Sequence, residues 1–195
     1  MTMNLSLPWT VLLIGGASGS GKTSVSYQVA RHFGVGITEV DDFQVILEKM
    51  TTPEQQPVLH FWNTHPNPAA LTPQEIFEHG VAIGRVMTPA LKAVIDNHIE
   101  SQQPIILEGD FIHPALAAQY STHVRSAFIY EPDESQILAN YSQREPQNEP
   151  QTFRAHVSWL MGEWVKQEAE AYGLIVLPSR PWHTLFTRLI ASLDS

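Results

Sequence analysis

The octet Gly16-Ala17-Ser18-Gly19-Ser20-Gly21-Lys22-Thr23 constrains this chain more than any other stretch. It fits the spacing G-x-x-x-x-G-K-[ST], and its flanks fit too: an apolar run at 11–14 reads as a strand before it. Residues 24–33, with Val25, Val29 and Phe33 on one side, read as a helix after it. Glycines let a backbone turn tightly and aim N–H groups inward at phosphate oxygens. The helix that follows adds the positive end of its dipole. Lys22 would supply a mobile cation for β- and γ-phosphates and Thr23 a hydroxyl for Mg²⁺; Ser24 completes the expected nucleotide-binding stretch.

Around that octet, short apolar runs alternate with helical patterns, which predicts an α/β fold. The expected strands are 10–15, 36–40, 104–108, 127–130 and 174–177, continuous enough in apolar residues to be covered on both faces. Thr52-Pro53-Glu54-Gln55, Thr72-Pro73-Gln74-Glu75 and Asp133-Glu134-Ser135-Gln136 read as capped helix starts. A helical stripe from Ile83 to Ile99 is interrupted by Pro89, which predicts a kink or a fresh start capped by Thr88. A second long helix is expected over 153–172, with Phe153, Val157, Leu160, Met161, Trp164 and Val165 inward. The helical stretch between the second and third strands exceeds a bare crossover and is the expected seat of substrate.

With 195 residues, 43% of them hydrophobic, the chain reads as one domain with ample core material. Having no cysteine, it can form no disulfide, thiolate metal site or cysteine nucleophile. Its net charge of −9 argues against a nucleic-acid or anionic-membrane surface. Residues 1–8 lack the basic and apolar regions of a secretory signal, and a cytoplasmic location is expected. The nine histidines show no ligand spacing, so no histidine metal site is expected.

The acids sit where chemistry would need them. Asp41 and Asp42 follow the second strand, and strand ends line the ligand crevice of α/β sheets. Either could address an acceptor hydroxyl, or cap a helix. The apolar run Ile105-Ile106-Leu107 ends in Glu108, with Asp110 beyond Gly109; either acid could serve Mg²⁺. Arg85, Lys49 and Arg31 are cations available to an acidic acceptor, whereas Phe61, Trp62 and Phe77 could wall a neutral one.

These landmarks resemble the P-loop kinase superfamily in its small-molecule and nucleoside/nucleotide branch, with 2-phosphoglycerate kinase-like proteins nearest. The resemblance rests on LLIGGASGSGKTSV at 12–25, EVDDF at 39–43, PIILEG at 104–109 and the arginine-bearing segment 144–154. It implies a three-layer α/β P-loop fold with a parallel sheet of about five strands, a helical insert at about 44–100 and a lid at about 144–154. It implies ATP and Mg²⁺, a small-molecule phosphate acceptor, and Arg144 and Arg154 closing on the triphosphate. It also puts Pro178 to Trp182 where the adenine would lie. The 2-phosphoglycerate kinase-like pattern has a histidine where Phe111 stands, so acceptor identity is open. A nucleotide hydrolase or switch, or a nucleotide-binding module without turnover, would use the same octet.

Overall fold

The structure is a computed structural model that describes residues 7–65 and 70–193. Of the amino-terminal stretch read for a signal, residues 1–6 lie outside the described residues. In chain order the elements are β1 (Val11–Gly15), α1 (Lys22–Phe33), β2 (Gly36–Glu39), α2 (Asp41–Met50), α3 (Phe61–Thr64), α4 (Pro73–Ser101) and β3 (Ile105–Gly109). Then follow α5 (Pro114–Ala117), β4 (Val124–Tyr130), α6 (Glu134–Arg144), α7 (Thr152–Ala171), β5 (Ile175–Pro178) and α8 (Trp182–Leu193). The five strands form one parallel sheet in the order β2-β3-β1-β4-β5. The expected strands are all present, with small shifts at their ends and an earlier start for β4.

Side chains alternate across a strand, and β1 uses that alternation to build two cores. Val11 and Leu13 face one cluster, with Met87, Leu91 and Ile95 of α4, Val165 of α7 and Phe128 of β4. Leu12 and Ile14 face the other, with Val25 and Val29 of α1 and Leu185 and Leu189 of α8. All four β1 residues are fully buried. The result is helix, sheet, helix: the three layers expected. Because β1 lies between β3 and β4, the loop after it emerges where the strand order reverses, the usual crevice of such sheets.

Three local expectations are corrected. Pro89 does not divide α4, which runs unbroken from its capping box at Thr72 to Ser101. Thr88 donates its hydroxyl to Gly84 O at 3.0 Å instead of capping a new helix. A mid-helix proline costs about 3 kcal/mol. The buried stripe Val81, Ile83, Met87, Leu91 and Ile95 spans it, and burial of each such side chain contributes about 1.5–3 kcal/mol, so packing wins. At Thr52 the cap forms, with Thr52 N donating to Gln55 Oε1 at 2.9 Å, yet only turns follow. Pro57 comes too soon, and no apolar stripe holds the segment down. In α7 the buried positions are Ala155, Ser158, Met161, Gly162, Val165 and Ala169, while Phe153 is exposed. The helix lies close on its neighbours through small residues, which a search for large apolar ones does not find.

Candidate active site

The loop after β1 is shaped by what its glycines permit. Gly16 has φ 146°, and a Cβ there would lie 2.2 Å from Ile129 O. Gly21, left-handed at φ 87° ahead of α1, would put a Cβ 2.4 Å from the Trp182 ring. Gly16 and the buried Ala17 therefore seat the loop on the sheet, and residues Ser18 to Ser24 line a cleft of about 760 Å³. That volume suits a nucleotide-sized ligand. Asn140 of α6 pins the loop from outside, donating from Nδ2 to Gly19 O at 2.9 Å.

Lys22 is only 6% exposed and forms an ion pair with Asp110. Burial opposes its charge, but Asp110, Glu108 and Asp41 outweigh burial and hold its pKa above the ordinary value. Beside it Thr23 donates its hydroxyl to Glu108 Oε1 at 3.0 Å. Glu108 is 2% exposed, and its other oxygen, Oε2, has no hydrogen-bond partner. Burial, opposed by Lys22 and Thr23, pushes Glu108 up to about 7. The register explains the meeting: Gly15 pairs with Gly109, so the acids at the end of β3 rise next to the loop.

Asp41 lies on the cleft wall at the start of α2, with Glu39 at the end of β2. Water reaches the Asp41 carboxyl, but partial enclosure and then the Asp110 carboxylate push it up to about 6. Asp42 is exposed and does not line the cleft. Arg144 does line it, although its guanidinium is paired with Glu145 at 2.9 Å. Arg154 does not: it bonds Glu145 at 3.1 Å and lies over the Tyr141 ring. These partners hold Glu145 down at about 2, its bond from Gln151 being the largest cause.

At the far end Ser179, Arg180 and Trp182 close the cleft. The buried Glu131 accepts from Ser179 Oγ and from Arg180 Nε at 3.3 Å, and Arg180 reaches Asn140 Oδ1 at 3.5 Å. Sequence reasoning passed over Asn140, Tyr141, Gln143, Glu39 and Glu131. Asn140 and Tyr141 stand four and three residues before Arg144 on α6, so a helical-face reading from Arg144 finds them, whereas its direct neighbour Gln143 lies outside that pattern. Glu131 carries no local motif; only the β4–β5 pairing brings it to Ser179.

Among the described residues, no group of three His, Cys, Asp or Glu side chains could hold a metal alone. Thr23 Oγ1 and the unpartnered Glu108 Oε2 still fit Mg²⁺, which takes one or two protein oxygens and fills its shell with phosphate and water.

The sequence model of isopentenyl transferases matches residues 9–132, which carry the loop, the acids after β2 and β3, and all of β4. The chain belongs to the isopentenyl transferase family. This family assignment differs from the 2-phosphoglycerate kinase-like proteins that the sequence landmarks resemble, and the match ends before α6 and the Arg180 turn. No curated protein matches the sequence. Among solved structures, this isopentenyl transferase family member is similar to shikimate kinase from Acinetobacter baumannii, with TM-score 0.53, 12% identity and coverage of 96% of this chain and 94% of that one. It is similar to deoxyadenosine kinase from M. mycoides, with TM-score 0.53, 12% identity and coverage of 95% and 100%. Gluconokinase from Sinorhizobium meliloti 1021 gives TM-score 0.52, 17% identity and coverage of 96% and 93%. At such identities the likeness is one of fold: these are kinases of the P-loop architecture, and the isopentenyl transferase family member shares it. No helix of the described residues is long and apolar enough to cross a membrane.

Proposed function

We propose that this protein transfers the γ-phosphoryl group of Mg-ATP to the hydroxyl of a small-molecule acceptor. One observation carries the reading: a single cleft runs from Lys22 and Thr23 to Arg180 and Trp182 on one side and to Asp41 on the other. It thus has room for a triphosphate, a nucleoside and a hydroxyl brought up to the last phosphate.

Lys22 and the Ser18–Ser24 backbone hold the phosphates of the donor. Thr23 and Glu108 hold Mg²⁺, which when bound neutralises charge on the β- and γ-phosphates. Trp182 and Arg180 offer a ring face and a planar cation to the base. Asp41 accepts the proton of the acceptor hydroxyl as its oxygen bonds the γ-phosphorus; the bond from that phosphorus to the β,γ-bridging oxygen breaks, and ADP leaves. Arg144 releases Glu145 and turns to the transferring phosphoryl group. Asp110, freed from Lys22 by the donor, is left to orient the acceptor or the metal's waters.

The test is acceptor-dependent ADP release across a metabolite panel with Mg²⁺. We expect Lys22→Ala to keep its circular dichroism spectrum and lose at least about 100-fold in kcat/KM, the scale of one electrostatic contact to a transition state. ATP turnover that needs no acceptor and survives Asp41→Asn identifies a hydrolase instead.

The family match over 9–132 favours a second reading, transfer of an isopentenyl group. There the same loop would hold the diphosphate of an isopentenyl-type donor as leaving group, and Asp41 would deprotonate the acceptor. Turnover of dimethylallyl diphosphate with release of pyrophosphate, in a protein inert toward ATP, decides for it.

A further inference from the structure

A second cavity of about 180 Å³ opens off the cleft, and Ser18 and Asp110 line both. Trp62, Ile76, Ile83, Phe111, Val157 and Met161 supply its apolar walls. The space equals the liquid volume of about six waters and is smaller than the ~300 Å³ at which drug-sized sites begin. One ring or one branched alkyl group fills it.

Its charge is as telling as its size. None of the chain's eleven lysines and arginines lines it. Arg85, Lys49 and Arg31, the cations that could have met an acidic acceptor, are all exposed and border neither cavity. The one acidic side chain in the lining is Asp110, paired with Lys22. A carboxylate or phosphate placed here would give up part of its water, gain no cation and face a like charge, all of them unfavourable. Of the polar lining side chains, Ser158 Oγ is within 2.7 Å of Tyr141 OH and so committed. His79 lies against the Phe61 ring at 3.9 Å, with Nε2 buried and lacking a hydrogen-bond partner. That nitrogen is free to meet one uncharged polar group.

Building on the phosphoryl-transfer reading, we propose that the acceptor is a small uncharged alcohol. Its apolar body fills the second cavity, and its hydroxyl emerges between Ser18 and Asp110 at the phosphate loop. The pocket selects against acids through the absence of any cation, and toward apolar bodies through its walls.

Benzyl alcohol and benzoate, alike in shape and different in charge, are the probes. In calorimetry with the 195-residue chain and Mg-ADP, benzyl alcohol should bind at least tenfold more tightly than benzoate. Ile76→Trp, which fills a half-buried wall position, should remove alcohol binding, and Ile76→Arg should reverse the preference toward benzoate. Val157→Arg tests the same reversal from α7 should Ile76→Arg fail to fold. Equal or tighter benzoate binding by the unaltered protein overturns the proposal, as does alcohol binding unchanged in Ile76→Trp. ADP release separates this from the underlying reading. Turnover with acidic acceptors and none with alcohols sinks the acceptor class and leaves phosphoryl transfer standing. No acceptor-dependent release with any compound sinks both.

Discussion

Glu108 and Asp41 carry protons to unusually high pH, about 7 and about 6, each mainly because burial disfavours the charged form. A carboxyl whose pKa is higher in the folded chain than in the unfolded one binds protons more readily when folded. Stability is then greatest at low pH and falls as pH climbs from the unfolded value near 4 through the folded one. The ligand-free protein should therefore lose stability between about pH 4 and pH 7, and urea melts should show the loss reduced in Glu108→Gln. For Glu108, a rise from 4.5 to about 7 sets a ceiling of about 3 kcal/mol on that difference. In turnover the sign reverses, because Asp41 must be ionised to act as a base. At saturating Mg-ATP, with Glu108 engaged by the metal, we expect kcat/KM for the acceptor to rise with unit slope below about pH 6 and level off above it, and Asp41→Asn to abolish that limb along with most activity. A flat profile from pH 5 to 8 would remove Asp41 from the proton's path. At this scale the sequence was legible where a residue's place follows from its neighbours in the chain: Ser18 to Thr23 of the octet, Asp41, and Glu108 at a strand end all line the cleft. It was opaque where partners meet across the sheet, as Glu131 and Ser179 do, or where one of two like residues stands outside the cleft, as Arg154 does although both arginines pair with Glu145.

The long helix α4 shows what patterning does and does not announce about an element. Its cap and its apolar stripe are plain in the sequence; its continuity through Pro89 is not, because that depends on what the stripe packs against. Pro89 is exposed, so Pro89→Ala should restore the missing N–H without disturbing the core. We expect a gain of about 1–2 kcal/mol in denaturant unfolding, the helix gain less the entropy returned to the unfolded chain. The opposite outcome belongs to Gly84, one turn before. A Cβ there would fall 2.1 Å from Nε2 of His113, a buried ring that also meets Trp164 edge-on. Gly84→Ala should destabilise by about 1–3 kcal/mol, the usual penalty of overfilling a packed site. His113 is held neutral, its pKa lowered to about 4 by burial and by Arg85, so the penalty should be the same at pH 6 and pH 8.

For the molecule as a whole, a ligand that binds only the folded form stabilises it in proportion to the logarithm of its concentration. Mg-ATP at one hundred times its Kd adds about 2.7 kcal/mol, which in a domain of this size raises Tm by about 5–10 °C. Calorimetry should show that rise for the unaltered protein and little of it for Lys22→Ala. No rise for any nucleoside triphosphate would set the donor assignment aside. The layered architecture was readable because alternating apolar runs and amphipathic helices leave few ways to bury both. The acceptor pocket was not, since it assembles Trp62, Ile76, Phe111 and Val157 from separate segments that share only a place in space.

The central strand has one more implication. Val11 and Leu13 are locked into one core and Leu12 and Ile14 into the other, so the stalk that carries the phosphate-gripping turn is clamped from above and below. It cannot tilt or slide without breaking both packings together. On the phosphoryl-transfer reading, closure over a captured molecule would fall to the surrounding helices, while the grip itself stays still as an anvil does beneath the hammer.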